Sequence, residues 1–416
     1  MDQTLLSKVL THQLQGEYHS PRELMYATDP GFFLSPHDYG AYLDYVDELV
    51  GRDAASFDLP LKSFNSKHVF CLSGAELNSL HNSYLNLLKE SSEEGKTYVF
   101  DAFADEITKS RIYSEIEGTL NVENVPTTRK RLKELLEKNK KPESKNDIII
   151  KNMSEGIHFV SSLPSFDKEN LLRLYNILSH DSLDEDDKLK PGWFYRDDEV
   201  EVDDYPGCPF EKVSECMDSL FAYANEVISH GSPLQKLYLP HICHYYLVYI
   251  HPYFDFNGRT ARMVSLWVNL LAKENTMPPL ISEAINQNKA EYYRALRDAR
   301  NARNDIAYFL LYIFKTAIKY ILCYKDLAII DQMVKNQNDV LSDTELNYVK
   351  RMLVSYQGKF SYRDFIKNCQ IEISKQGAFK ILNHFVDLQI LIVVNTHSKT
   401  KLFDFNPKVL KYTRMQ

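Results

Sequence analysis

Along most of the chain, apolar residues recur three or four positions apart with polar residues between them, which is the spacing of one face of an α-helix. Two of these apolar stripes are long, one from Met263 to Leu271 and one from Ile306 to Leu322. Such a stripe is more typical of a helix that packs in a core than of a cofactor site. The pattern predicts a mainly α protein.

One segment in the middle of the chain departs from the helical pattern. Residues 189–204, with the sequence LKPGWFYRDDEVEVDD, contain a turn signal at Gly192 and alternate apolar residues on either side of Asp197 and Asp198. This alternation predicts a β-hairpin. In a helical protein such a hairpin is either decoration or an edge to which another chain docks.

The last eighty residues have a different order of elements. From Lys335 to Gln416 the sequence predicts a helix, a short helix, a helix over 375–388 and two β-like runs. That order is typical of a winged helix-turn-helix domain, with residues 397–399 as the wing. This segment has 13 Lys and Arg against 7 Asp and Glu, a local balance of +6. Winged helices bind DNA or protein, and both stay open here.

Composition narrows the classes of function. The 416 residues have a formal net charge of −8, which argues against a protein that coats nucleic acid along its whole length. The six cysteines include no CxxC pair, which argues against a disulfide framework and a zinc ribbon. No apolar run approaches the roughly 20 residues that span a bilayer. We therefore expect a cytoplasmic protein with no membrane partner.

The candidate chemistry is concentrated in residues 251–262, HPYFDFNGRTAR. Asn257 and Gly258 form a turn signal that opens the next helix, where free backbone N–H groups converge into an anion site. Arg259 and Arg262 lie three apart in the first turn of that helix, where the macrodipole disfavours cations. Their position is understandable if a polyanion such as a nucleotide phosphate binds there.

Two further side chains of this stretch suit phosphate chemistry. Asp255 is placed to hold Mg²⁺, which prefers a few carboxylates together with phosphate oxygens. His251 is a general base for a nearby hydroxyl. A purely structural interpretation, with a capping histidine and an Asp–Arg pair, explains each residue alone but not all of them in one short loop.

The order His, Asp, Asn-Gly, Arg, Arg resembles the signature of the Fic family, His-Pro-Phe-x-Asp/Glu-Gly-Asn-Gly-Arg-x-x-Arg. The similarity covers roughly residues 100–322 and includes the position of the family's target-docking flap, at 189–204. It implies a Fic helical bundle with a β-hairpin flap, followed by the winged helix that many bacterial Fic proteins carry. The implied domains are an N-terminal helical region of unknown role at 1–100, a Fic domain at 101–325 and a winged helix-turn-helix domain at 335–416.

The resemblance also implies a role for each motif residue. His251 would deprotonate a target hydroxyl, which attacks the α-phosphate of ATP and expels pyrophosphate, and Asp255 would hold Mg²⁺. The residues that would bind the nucleotide are Phe256, Asn257 and Gly258 at the α-phosphate, Arg259 and Arg262 at the β- and γ-phosphates, and Tyr292 and Tyr293 at the adenine. Backbone of the target protein would add to the flap as an extra strand.

Two positions depart from the signature. Tyr253 replaces the usual Phe, and Phe256 replaces the first Gly of Gly-Asn-Gly. If φ is positive at position 256, the Phe is strained and the anion site shifts; if φ is ordinary, the ring only changes the pocket wall. Phe256 therefore leaves the transferred group open between AMP, UMP, phosphate and phosphocholine.

A second motif suggests regulation. Residues 102–118, AFADEITKSRIYSEIEG, predict a helix that Gly118 ends, which leaves Glu117 at the carbonyl end, where the helix dipole repels an anion. The segment resembles the inhibitory helix of Fic proteins, Ser/Thr-x-x-x-Glu-Gly/Asn, with Tyr113 in the first position. The resemblance implies that Glu117 pairs with Arg262 and blocks the γ-phosphate.

The leading hypothesis is a Fic-type transferase that moves AMP from ATP to a hydroxyl side chain of a target protein or of itself, and that Glu117 inhibits. One alternative is the same fold transferring another phosphate-linked group. Another is a winged-helix regulator that senses a nucleotide without turnover and contacts DNA or protein. The 27 tyrosines suit a homodimer but do not establish one.

Overall fold

The computed structural model describes residues 3–26, 34–52, 56–93, 106–202, 205–272, 281–356, 358–369, 371, 373–394 and 401–413. The chain divides into two compact units, Met1–Lys315 and Thr316–Gln416. Helices dominate both units, so the prediction of a mainly α fold is confirmed. The helices are α1 (Gln3–Gln15), α2 (Pro21–Tyr26), α3 (Pro36–Leu49), α4 (Ala75–Glu93), α5 (Glu106–Val122), α6 (Arg129–Leu136), α7 (Lys145–Ser161), α8 (Lys168–Ser179), α9 (Phe210–His230), α10 (Pro233–Ile250), α11 (Asn257–Ala272), α12 (Ile281–Gln287), α13 (Lys289–Asn301), α14 (Ala307–Lys335), α15 (Asp343–Ser355), α16 (Tyr362–Asn368) and α17 (Lys375–Asp387).

In the described part of the chain, the strands form three small antiparallel sheets. The first pairs β1 with β2, the second pairs β3 with β4, and the third has the order β5-β7-β6. The strands are β1 (Ser56–Leu59), β2 (Val69–Leu72), β3 (Glu201–Val202), β4 (Tyr205–Pro206), β5 (Phe360–Ser361), β6 (Leu391–Val394) and β7 (Leu402–Phe405).

Helices α10 and α11 form the centre of the first unit. Both are buried along most of their length: apolar residues occupy nearly every face of α10, whereas α11 also buries polar residues of its first turns, such as Arg259 and Arg262. Trp267 of α11 is fully buried and meets the ring of Phe166 edge-on, with the ring centroids 4.9 Å apart. Because these two helices are consecutive, the short loop between them, residues 251–256, is fixed by the core at both ends.

The hairpin lies later in the chain than the sequence pattern indicated. Its strands are β3 and β4, with Val202 opposite Tyr205, and the Gly207 N–H extends the ladder by donating to the Val200 carbonyl at 2.8 Å. The predicted range of 189–204 places the hairpin too early, because residues 191–198 form turns and bends before the first strand. The two residues between the strands, 203–204, lie outside the described part of the chain.

Helix α5 also differs from its prediction, since it continues through Gly118 to Val122. A Cβ atom at Gly118 would lie 2.5 Å from the backbone nitrogen of Glu283, at the start of α12. The glycine therefore permits two helices to approach closely and does not end its own helix. The first residues assigned to this helix, 102–105, lie outside the described residues.

The N-terminal region belongs to the first compact unit. Asp305 is buried and accepts hydrogen bonds from the Leu72 N–H at 3.1 Å and from the Tyr18 hydroxyl. Phe70 of β2 also forms a parallel bridge with Asp305. A buried carboxylate is stable only when its oxygens are hydrogen-bonded, so these contacts join the region to the residues just before α14.

In the second unit, α15, α16, α17, β6 and β7 follow one another in the order that the sequence predicted, and β5 adds a third strand. Asp326 of α14 accepts hydrogen bonds from the backbone N–H groups of residues 411–413, each at 2.9 Å, which fixes the last described segment of the chain. Residues 397–399, the predicted wing, lie outside the described residues, and the winged-helix assignment stays a prediction.

Helix α14 contains the boundary between the two units. Among the described residues it is the one helix that length and composition alone would allow to cross a membrane, and 61% of its most apolar stretch is buried inside the structure. Burial of this extent is typical of a core helix.

The close approach at Gly118 predicts an unusual stability difference between two glycine substitutions. We expect Gly118→Ala to lower the free energy of unfolding by about 1–3 kcal/mol, because the methyl group meets rigid backbone of α12. Gly40→Ala in α3 is the matched control, since nothing lies within 4 Å of its Cβ position, and it should raise stability by about 0.5–1 kcal/mol. Calorimetric melting of both variants checks the pair; equal shifts would contradict the close approach.

Candidate active site

The loop that follows α10 begins with a histidine in an unusual backbone conformation. His251 caps α10 in the left-handed region, with φ 56° and ψ 63°, and its N–H donates to the Leu247 carbonyl at 2.9 Å. This conformation is unfavourable by about 1–2 kcal/mol for a residue other than glycine, so the surroundings must hold it. Burial lowers the pKa of His251 to about 4. The imidazole is therefore neutral near pH 7 and free to accept a proton.

Asn257 and Tyr253 fix the middle of the loop. The Asn257 Oδ1 accepts the Tyr253 N–H at 3.0 Å, and its Nδ2 donates to the Tyr253 carbonyl at 2.8 Å. The Tyr253 ring stacks on Tyr175 of α8, with the centroids 3.8 Å apart. Both polar ends of the Asn257 side chain thus bind the loop backbone. The second N–H of Nδ2 is left for the α-phosphate contact that the resemblance implies for Asn257.

The backbone at Phe256 is strained, because its φ is positive. Its φ is 65°, and its ring is buried beneath the guanidinium of Arg259, with Cζ 3.4 Å from the ring centroid. Asp255 Oδ1 accepts hydrogen bonds from the Phe256 N–H at 2.5 Å and from Arg259 Nη2 at 3.1 Å. A cation–π contact and an ion pair therefore hold the strained residue.

Arg262, one helical turn after Arg259, meets helix α5 and the residue that follows it. Its side chain is 2% exposed, and its Nε donates to the Thr119 hydroxyl at 2.8 Å. Its Nη2 donates to Glu123 Oε1 at 2.6 Å. The prediction that Glu117 pairs with Arg262 is therefore wrong, because the carboxylate of Glu123 takes that place.

Glu123 lies at the carbonyl end of α5, where the sequence had predicted Glu117. It directly follows the last residue of α5, and Asn124 ends the helix with φ 56°. An anion at this end is repelled by the macrodipole and needs a cation, which Arg262 supplies. Burial acts to raise the pKa of Glu123, but the charge and hydrogen bond of Arg262, together with the charges of Arg259 and Lys289, outweigh burial and the pKa is lowered.

The sequence pattern of the Fic inhibitory helix fits these residues better than it fits residues 113–118, where Tyr113 stands in the Ser/Thr position. Thr119 stands in the Ser/Thr position, and Glu123 and Asn124 complete Ser/Thr-x-x-x-Glu-Gly/Asn. The same spacing, applied six residues later in the chain, would have found Glu123 from the sequence. Position 118 misdirected the prediction, because its glycine was taken as the end of the helix.

The Glu123 carboxylate lies over the first turn of α11, where the sequence predicted an anion site. A Cβ atom at Gly258 would come within 2.5 Å of Glu123 Oε1 and within 3.2 Å of an Arg262 Nη1. Gly258 thus leaves the space that the carboxylate uses. The positive helix end and Arg262 therefore already have an anionic partner in this structure.

A cavity of about 230 Å³ joins these groups. Its lining includes His251, Gly258, Arg262, Tyr292, Tyr293 and Glu123, and from the flap Glu201 and Val202. Tyr292 is buried with its hydroxyl 2.9 Å from His244 Nε2, a residue that the sequence did not indicate for the site, whereas Tyr293 is partly exposed. Asp255, Phe256, Asn257 and Arg259 lie in the adjoining loop and helix turn and are not among the lining residues.

The residues present suit Mg²⁺ only together with a nucleotide. Among the described residues no group of three or more His, Cys, Asp or Glu could hold a metal ion by itself. Asp255 offers one carboxylate whose side chain is 51% exposed, beside the anion site. This donor set fits an ion that binds one or two carboxylates and completes its shell with phosphate oxygens and water.

A family model described as the Fic/DOC family matches residues 165–268. The protein adenylyltransferase fic-1 of Caenorhabditis elegans is 39% identical over 74 residues, which is 18% of this chain and 13% of that protein. The protein adenylyltransferase Fic of Nematostella vectensis is 31% identical over 133 residues, 31% of this chain and 28% of that protein. The chain thus covers less than a third of either relative.

A solved structure shows the same fold. The crystal structure of a Fic family protein from Desulfovibrio desulfuricans aligns with 84% of this chain and 99% of its own, with a TM-score of 0.50 and 14% sequence identity. At this identity the likeness concerns the fold alone.

The strain at Phe256 predicts that truncation of this residue to glycine leaves a more stable protein than truncation to alanine, the reverse of the usual order. Phe256→Ala and Phe256→Gly both remove the buried ring, and each should lower the free energy of unfolding by a few kcal/mol. Only alanine retains the penalty of a positive φ, so the glycine variant should be the more stable of the two by about 1 kcal/mol. Urea unfolding of both variants measures the difference; a more stable alanine variant would show that position 256 is not strained.

Proposed function

Because residues 165–268 form a Fic/DOC family domain, we propose that this protein is a transferase that moves AMP from ATP to a hydroxyl side chain of a protein. The observation that carries the proposal is one cavity lined by a neutral, partly buried histidine, His251, by a buried cation, Arg262, and by Gly258 at the positive end of α11. A general base and an oxyanion site in contact with one substrate are what phosphoryl-group transfer requires.

In the proposed reaction, the target hydroxyl oxygen forms a bond to the α-phosphorus of ATP, and the bond from that phosphorus to the leaving pyrophosphate breaks. His251 takes the hydroxyl proton. The free N–H groups of the first turn of α11 and the guanidinium of Arg262 stabilise the negative charge on the phosphates. Mg²⁺, held by Asp255 and the phosphates, would neutralise part of that charge. Tyr292 and Tyr293 would contact the adenine.

The structure also supports inhibition by Glu123 as part of the proposal. The carboxylate pairs with Arg262 and takes up space over Gly258, where a phosphate would otherwise bind. The remaining cavity, about 230 Å³, is below the roughly 300–1,000 Å³ that is common for small-molecule sites. Removal of the Glu123 side chain would enlarge the cavity and free Arg262 for the nucleotide.

This proposal predicts activation by a single substitution. With α-labelled ATP and Mg²⁺, we expect Glu123→Gly to transfer label to protein, while the wild type transfers little. If the inhibited form accounts for roughly 99% of the wild type, transfer at subsaturating ATP should rise about 10²-fold. Gel autoradiography of the purified protein, alone and with cell lysate as a source of targets, measures the label.

Two controls accompany this experiment. Glu117→Gly changes the same residue type six positions earlier, within α5, but Arg262 does not bind Glu117, so this variant should not be activated. Glu123→Gly/His251→Ala should lose the label, because the general base is absent. Labelling by Glu117→Gly but not by Glu123→Gly would refute Glu123 as the inhibitor, and labelling that survives His251→Ala would refute His251 as the base.

A second candidate is the same fold transferring another phosphate-linked group. Phe256 supports this candidate, because its buried aromatic ring lies next to Arg259, at a position where the family signature has glycine. Mass spectrometry of protein incubated with ATP, UTP and a phosphocholine donor identifies the adduct by its mass.

We also propose that the second unit contacts a polyanion such as duplex DNA. Exposed basic side chains gather on and beside α17, namely Lys375 and Lys380 of this helix, Arg363 and Lys367 of α16, and Lys401. Such a cluster is the electrostatic footprint of phosphate binding. This contact is separate from the transferase proposal and has its own test.

Salt dependence of DNA binding tests this contact. We expect wild-type protein to bind duplex DNA with an affinity that falls as salt rises, with a log–log slope of about −0.9 for each phosphate contacted. Lys375→Glu/Lys380→Glu should flatten the slope by about two contacts. Lys408→Glu, exposed in the same unit but outside α17, is the control. Binding that is insensitive to salt, or equal losses in both variants, would argue against α17 as the contact.

A further inference from the structure

An arginine outside the signature motif holds the backbone of the catalytic loop. Arg196 is 1% exposed, and its Nε donates to the carbonyl of His251 at 2.8 Å. Its own backbone N–H donates to the carbonyl of Pro252 at 3.0 Å. The side chain and the main chain of one residue thus bind consecutive carbonyls, at the point where α10 ends in a left-handed residue.

The same guanidinium also binds the base of the flap. Its Nη1 donates to the Asp198 carbonyl at 2.6 Å, before β3, and its Nη2 donates to the Cys208 carbonyl, after β4. Gly207, next to Cys208, continues the hairpin ladder through its hydrogen bond to Val200. The guanidinium therefore connects both ends of the hairpin with His251.

These contacts are unusual for a buried cation. Among the described residues, the hydrogen-bond partners of the Arg196 side chain are carbonyl oxygens, so dipoles satisfy the guanidinium, and the nearby charges of Glu199 and Asp198 favour it further. One of these dipoles is the C-terminal end of α10, where a cation is favourable. The fixed fork of a guanidinium can reach three acceptors at once, which a lysine ammonium on its flexible stem does not reproduce.

We propose that Arg196 is a positioning residue that holds His251 in its left-handed conformation and ties the imidazole to the flap. The inference rests on the proposed transferase activity, since it concerns the placement of the proposed base. Arg196 is not among the residues that line the cavity, so it acts through His251 and does not touch the nucleotide.

The charge of Arg196 has a second consequence for His251. Burial lowers the pKa of His251 and a backbone hydrogen bond at Val248 raises it; after these, the charge of Arg196 lowers the pKa, and the charges of Asp255 and Glu123 raise it. In a Glu123→Gly background, Arg196 and Asp255 remain. Loss of the Arg196 charge should raise the pKa of His251, so that the acid limb of the activity profile moves to higher pH.

The experiment compares Arg196→Met and Arg196→Lys in the Glu123→Gly background. We expect kcat to fall roughly 10²-fold in both variants, with KM for ATP unchanged, because a misplaced base slows the chemical step and not nucleotide binding. The lysine variant keeps the charge and should keep the acid limb of the parent, whereas the methionine variant should shift it to higher pH. Arg173→Met, at an exposed position of α8, is the control.

A readout that does not need activity separates this inference from the proposed function. Amide hydrogen exchange at His251 and Gly207 should become faster together in Arg196→Met, relative to the parent, and stay unchanged in Arg173→Met. If the parent itself transfers no label, the transferase proposal fails, and the exchange result still decides whether Arg196 connects the loop with the flap. The inference would be overturned if hydrogen exchange at His251 and Gly207 were the same in Arg196→Met as in the Glu123→Gly parent. It would also be overturned if the parent were active and Arg196→Met had the same kcat.

Discussion

A buried positive charge at the start of α11 is the constraint on which the site depends. The Arg262 side chain is 2% exposed and lies beside the free N–H groups of the same helix end. Removal of the anion from such a pair leaves an uncompensated buried charge, which is unfavourable by about 3–5 kcal/mol. The site therefore needs an anion at all times. Glu123 satisfies that need here. On our proposal, a nucleotide phosphate satisfies it in the active form, so the carboxylate and the phosphate exclude each other.

The position of Glu123 depends in turn on how α5 packs. The Glu115 carboxylate accepts hydrogen bonds from the N–H of Ser282 at 3.0 Å and from its hydroxyl, and Gly118 allows the backbone of α12 to come close. Burial raises the pKa of Glu115 to about 7, so this connection is formed by a carboxyl that is itself near its titration point. If a phosphate is to replace Glu123, either α5 breaks these contacts with α12 and moves, or α5 stays in place and the Glu123 side chain alone changes its conformation.

The sequence was most informative where the chemistry is local. The loop from His251 to Arg262 was recognisable because the helix start, the anion site and both arginines lie within a few positions of one another. The carboxylate that pairs with Arg262 was misplaced because Gly118 has a long-range role, close packing against α12, that no local pattern reveals. Arg196 was missed for a similar reason, since its partners Asp198, Cys208 and His251 are brought together only by the fold.

The loop itself stores strain at both ends. His251 and Phe256 have φ of 56° and 65°, and each conformation is unfavourable by about 1–2 kcal/mol for a residue with a side chain. Different contacts hold the two ends: the Arg196 guanidinium binds the backbone at His251, and Asp255 with Arg259 holds Phe256. Catalysis of phosphoryl transfer depends chiefly on positioning, so, on our proposal, a loop over-determined by these contacts keeps the imidazole at a set distance from the helix end where phosphate would bind.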